Sequence, residues 1–146
     1  MSIGTPDWDV AGVTRDFTDA NWPAEGGTEP ENIVLSSEHK GVDFTEEYVL
    51  VSETGERART YSDLQRNHYD ADAVAFIELA TPESRDRREE MWDGILEIAT
   101  QMRKRSASLP GNWDTMDVDG APINDDAFNW WAMEVTFAFN AVSRTL

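Results

Sequence analysis

A chain of 146 residues without a cysteine excludes disulfide stapling and thiolate metal sites, and it is long enough to bury a core of its own as one domain, residues 1–146. Its formal charge of −17, from 29 acids against 12 bases, argues against a basic groove for nucleic acid, since the clustered bases are Arg85-Arg87-Arg88, interleaved with acids, and Arg103-Lys104-Arg105. The 40% of hydrophobic residues and the six tryptophans exclude a disordered acidic tail.

Lys40 and Lys104 are the two lysines, and every other base is an arginine. An acidic, lysine-poor surface on an ordinary core is expected of a protein that works in molar salt. There the Debye length is about 3 Å and repulsion between exposed carboxylates is screened. The alternative is an ordinary acidic protein. No window approaches 18 apolar residues and the first ten residues lack a leader's basic and apolar stretches, so no membrane span is expected.

Residues Asp7 to Ala20 predict a first helix, with Val10, Val13, Phe17 and Ala20 at helical spacing and Asp7 and Asp9 at the positive end of the dipole. Asn21-Trp22-Pro23 ends it, and Ala24 to Asn32 reads as a loop. Ile33-Val34-Leu35 predicts a short strand. The polar stretch Ser36–Glu47 that follows is long for a loop inside a compact domain, and loops of that length are often functional. Glu47–Ser52 predicts a strand, Glu53–Glu56 a turn around Gly55, and Arg57–Tyr61 a partner strand. Ser62–Ala71 reads as a polar connection and Ala73–Ala80 as a strand.

Thr81 and Pro82 then predict the N-cap and first position of a long helix, about 83–105. Met91, Ile95, Ile98 and Met102 form its apolar stripe, with Trp92, Leu96 and Ala99 beside them. Pro110-Gly111 closes the region, and Asn112–Asp126 reads as an acidic loop. Phe128–Ser143 predicts a long strand. Trp131, Met133, Val135, Phe137 and Phe139 share the face expected to pack on Trp92, Ile95, Leu96 and Ala99. Trp130, Ala132, Glu134, Thr136, Ala138 and Asn140 share a half-polar face, which would be solvated, line a cavity or meet another subunit. The expected fold class is α+β: a mostly antiparallel sheet with the long helix (about 83–105) on one face and a shorter N-terminal helix (about 7–20).

Four groups of residues invite a chemical reading. His68, Asp70 and Asp72 could hold a divalent ion, or sit in a solvated turn. Thr115, Asp117, Asp119, Gly120 and Asp126 partly follow a calcium loop, but Thr115 replaces the first acid and Pro122 interrupts it. Ser36-Ser37 near His39 lack the strand-turn-helix frame of a nucleophile, and Gly26-Gly27 has no following lysine for a phosphate. Trp92 and Trp131 fit a core, whereas Trp8, Trp22, Trp113 and Trp130 fall at element ends or on the less apolar strand face, and at least two of these are expected at an interface. No catalytic residue, metal or cofactor is expected.

A Trp-bearing N-terminal helix, a hairpin, the strand AVAFIELAT, the helix RDRREEMWDGILEIATQMRKR, an acidic loop and the final strand WWAMEVTFAFNAV together resemble the tail terminator, or tail completion, proteins of long-tailed viruses. The likeness runs from about Trp8 to Val142 and lies in element order and texture, not in an invariant motif. It implies a small α+β subunit of a homohexameric ring that caps the tail tube and joins it to the head connector. With the acidic composition, it implies a virus of a halophilic archaeon. The implied partners are other copies of the chain, the tail tube protein and a connector or stopper protein, with DNA only as passing cargo. The implied location is the neck of the virion, and the host cytoplasm during assembly. The long segments Ser36–Glu47 and Asn112–Asp126 depart from the comparison and leave open a related neck protein, such as a connector stopper or adaptor. A soluble halophilic metal-binding or enzymatic domain is the remaining alternative. On the ring reading, Arg85, Arg87 and Arg88 are expected to pair with acids across a subunit boundary. Trp130, Glu134, Thr136, Phe44, Tyr48, Arg57 and Arg59 are expected to meet neighbours.

Overall fold

The computed structural model describes residues 7–30, 32–36, 46–63, 68–104, 109–125 and 130–142. They form an α+β fold in which five strands make one mixed, mostly antiparallel sheet. Helix α1 spans Val10–Ala20 and helix α2 spans Arg85–Arg103; the strands are β1 (Asn32–Leu35), β2 (Tyr48–Asp63), β3 (His68–Thr81), β4 (Thr115–Asp125) and β5 (Trp130–Val142). The order across the sheet is β1-β2-β3-β5-β4, with β1 parallel to β2 and every other neighbour antiparallel.

Both helices lie on the same face of this sheet. Helix α1 packs on β1, β2 and β3, and α2 packs on β3, β5 and β4. The alternation of each strand decides what they cover. Val49 and Val51 of β2, Ile77 and Leu79 of β3, and Val135, Phe137 and Phe139 of β5 are all buried against the helices. From above, Met91, Ile95, Ile98 and Met102 close the core with the spacing predicted from the sequence.

Several elements differ from the sequence expectation, each for an identifiable reason. Helix α2 starts two residues later than predicted. Its N-cap is Ser84, extended at φ −169° and ψ 165°, whose side chain accepts from the Arg87 amide at 3.1 Å. Thr81 instead ends β3, where it is buried and its hydroxyl donates to Glu47 at 3.0 Å. The turn expected at Glu53–Glu56 does not form. Strand β2 runs straight through it, and Thr54, Gly55 and Glu56 together face Val74, between the pairs Glu53↔Ala75 and Arg57↔Ala73. The glycine is absorbed in a bulge because β3 is long enough to pair on both sides of it. Strand β2 therefore continues to Asp63 and β3 begins at His68, so most of the predicted polar connection Ser62–Ala71 is strand.

The acidic loop Asn112–Asp126 is mostly strand β4. Its Asp, Gly and Pro content reads as loop, but it is the last strand of the sheet, and an edge strand tolerates proline. Met116 is buried, Val118 packs on the core, and Thr115, Asp117, Asp119 and Ala121 alternate outward. Trp113, placed by the sequence at an element end, is fully buried. Its indole N–H donates to the Asp7 carbonyl at 2.9 Å, and its ring meets Trp8 edge-on at 5.7 Å and Phe139 at 5.9 Å. Those contacts fasten the start of the chain to the end of β5.

Candidate interaction surface

Arg87 and Arg88 are consecutive, both buried, and differently supplied with partners. Arg87 stands four residues before Met91, so it continues the buried stripe of α2. Its guanidinium forks onto Glu47, from Nε to Oε2 at 3.0 Å and from Nη2 to Oε1 at 2.6 Å. It also donates to the Gly26 carbonyl at 2.6 Å, to Glu90 at 2.5 Å and to the Thr28 carbonyl. These bonds, led by that to Glu47, raise its pKa above the usual arginine value, against the opposing effect of burial. One side chain thus ties the 24–28 turn and the start of β2 to the helix. Arg87 was expected to pair with acids of another subunit; among the described residues its acidic partners are Glu47 and Glu90 of its own chain.

Arg88 points to the other flank of α2. Its Nη2 donates to Glu89 of the same chain at 2.9 Å. Its Nε and Nη1 are buried and have no hydrogen-bond partner among the described residues. Leaving such donors unmet costs about 1–3 kcal/mol each, and more when the group is charged. The guanidinium carbon sits 5.7 Å from the ring of Trp131, within cation–π range. Arg85 is exposed on the first turn.

The same flank carries the two large apolar side chains exposed by more than a third among the described residues, Leu96 at 38% and Trp131 at 37%. Trp131 shares the core-facing parity of β5, as predicted, but it stands near the beginning of the strand, opposite Asn124 of β4 and Thr81 of β3. Arg88, Trp92 and Leu96 follow one another at intervals of four along α2, which makes them one ridge. Trp92 is half-buried and lies over Gly120 of β4, where a Cβ would come within 2.9 Å of its ring. Leu96 was expected in the core; it stands at the outer end of this ridge instead.

The other face of the sheet has no helix on it among the described residues. Tyr48, Leu50, Phe76, Val74, Thr136 and Ala138 are half-buried there, Glu134 is exposed, and Glu78 and Glu134 stand directly opposite each other on β3 and β5. Like charges in that position repel. The Tyr48 hydroxyl donates to Glu78 at 2.5 Å, and Asn140 donates to Asp72 at 2.6 Å. The sequence expectation that Glu134 and Thr136 share a half-polar face is thus what the structure has.

Most of the remaining predicted residues are strand positions. His68 and Asp70 are strand positions of β3 and not a turn, and Asp72 is exposed further along it. Asp117 and Asp119 lie two apart on an extended edge strand, which does not curl as a calcium loop must. Among the described residues no group of three or more His, Asp or Glu side chains is placed to hold a metal ion. Arg57, Arg59 and Trp130 are described as strand positions only, and Phe44, Ser37, His39 and Asp126 lie outside the described residues. No described helix is long and apolar enough to cross a membrane. No protein-family model matches the sequence, and no curated protein is significantly similar to it.

Proposed function

We propose that the protein is a structural component of a virion neck, a tail terminator whose copies close into a ring at the end of a tail tube. The observation that carries this reading is the one-sided architecture. Both helices cover one face of a five-stranded sheet and leave the other, with its half-buried Tyr48, Leu50, Val74 and Phe76, without a covering element among the described residues. A face of that composition suits contact with other protein. The resemblance in element order supports the choice of a tail protein, and the acidic composition supports a halophilic setting. In this role the tube protein and a connector protein are the further partners, and DNA passes without being held.

The test is mass and shape in molar potassium chloride. Light scattering after gel filtration is expected to give a single species near six times the 16.5 kDa chain mass, and electron microscopy a closed ring with a central opening. A stable single chain, or a twofold dimer with no ring, would count against the proposal. A dimer or monomer that binds a divalent ion stoichiometrically would favour a metal-binding domain.

A further inference from the structure

The buried, half-paired guanidinium of Arg88 and the exposed side chains beside it call for an acceptor that the described part of the chain does not supply. We infer that the ridge of Arg88, Trp92 and Leu96 with Trp131 is one half of a head-to-tail contact. The other half is the open sheet face of a second copy, which brings Glu134 toward Arg88. This contact rests on the ring reading above and specifies which surfaces make the ring.

Three observations favour this occupant. The first is chemical complementarity. Nε and Nη1 of Arg88 are buried donors without partners among the described residues; they point in different directions, so a carboxylate accepts from one of them at a time, in a charge-assisted bond. Glu134 is an exposed carboxylate that faces another, Glu78, across the β3–β5 ladder, so a cation arriving between strands relieves a repulsion already present. The second is apolar matching. Trp131 and Leu96 project from the helix side, while Tyr48, Leu50 and Phe76 lie half-covered on the open side. Burying one set on the other removes apolar surface from water on both, around the type of aromatic and arginine centre that dominates interfaces. The third is placement. The two surfaces lie on opposite layers of the same subunit, the ridge on the helix layer and the carboxylates on the bare sheet face. A contact between two different surfaces of identical subunits is heterologous, and such contacts generate rings when the rotation closes. Two open faces meeting each other would instead set Glu78 and Glu134 against their own copies. Salt does not defeat the contact, because a pair buried on docking is screened far less than an exposed one.

Two single variants and their mixture test this. Leu96→Asp alters an exposed ridge position, and Glu134→Arg alters an exposed face position where a cation would sit well opposite Glu78. Both are expected to fold, as circular dichroism in molar salt would show, and each is expected to run as a single chain by light scattering where the wild type forms a ring. Mixed in equal amounts, they retain one intact ridge and one intact open face between them, so the expected product is a two-chain species that grows no further. If the wild type is a ring and either variant remains one, this contact is overturned while the ring reading stands. Two monomeric variants that fail to pair on mixing also overturn it, since both would then strike one self-complementary surface. A wild type that stays a single chain at all concentrations overturns the contact and the ring together.

Discussion

Arg87 and Arg88 are one bond apart in the chain and equally hidden from water, yet they mark two different kinds of region. On the Arg87 side, charge is matched by Glu47, Glu90 and two carbonyls, and the surrounding turn, strand start and helix are locked together. On the Arg88 side, two donors are unmet among the described residues, and an indole stands more than a third out of the surface. The comparison teaches that burial alone does not say what a charge is for. A saturated buried ion is part of the fold, whereas an unsaturated one carries a cost that its own chain does not repay.

The comparison breaks most visibly at Arg87. Arg87→Ala strands Glu47 and two carbonyls without their donor, and breaking a buried pair in this way typically costs about 3–5 kcal/mol. Chemical denaturation in molar salt is expected to show a loss of that order. The helix α1 offers a neutral counterpart to Arg88. Thr14 and Thr18 are fully buried, and their hydroxyls have no partner among the described residues. Thr18→Val, which keeps the shape and removes the unmet hydroxyl, is expected to raise stability by up to about 1 kcal/mol in the same measurement. Arg88→Met is expected to leave the stability of the isolated chain within about 1 kcal/mol of the wild type, because two unmet buried donors leave with the exposed Glu89 pair, while reducing self-association. A fall in stability as large as that of Arg87→Ala would erase the distinction between the two sides.

The smallest effect concerns the Arg87 side alone. Glu29, next to the turn that Arg87 holds, has its pKa raised, first by burial and then by a hydrogen bond and the like charge of Asp19. A carboxyl whose folded pKa lies above its unfolded value adds stability at acid pH, and this is lost as pH rises through the folded pKa. Asp19→Asn removes the neighbouring charge and is expected to lower the Glu29 titration part of the way, leaving the contribution of burial. A carboxyl-detected NMR titration reads it directly.

How much of this was legible depends on whether a local period carried it. The stripe of α2 and the alternation of β3 and β5 are written in spacings of 3.6 and 2, and the core residues they imply are the observed ones, from Met91 to Met102 and from Met133 to Phe139. Strand β4 escaped because an edge strand needs apolar residues on one side only, and here one of those inner positions is Gly120. The continuous β2 escaped because a glycine between two strand-like runs signals a turn unless the partner strand is known to reach past it. Trp131 matched the alternation of the core but lies at the start of its strand, a position that only the packed structure reveals. Of the candidate surface, Glu134 and Thr136 were visible by parity. The pairing of Arg87 with Glu47 links residues forty apart and has no local signature, although the four-residue step from Arg87 to Met91 already placed it on the buried stripe.

The order of the sheet also bears on how the chain reaches it. Strands β2 and β3 are joined through residues 64–67, and β4 and β5 through residues 126–129, so each pair closes locally. The seam between them, from Asp70 opposite Val142 to Thr81 opposite Trp131, joins stretches that are distant in sequence, with α2 lying between them in the chain. Closing long loops costs entropy before any contact repays it. The two hairpins are therefore expected to form early and the central seam late, with α2 docking as the seam closes. Until then both β3 and β5 present an unpaired edge, which makes this seam the place where folding competes with aggregation.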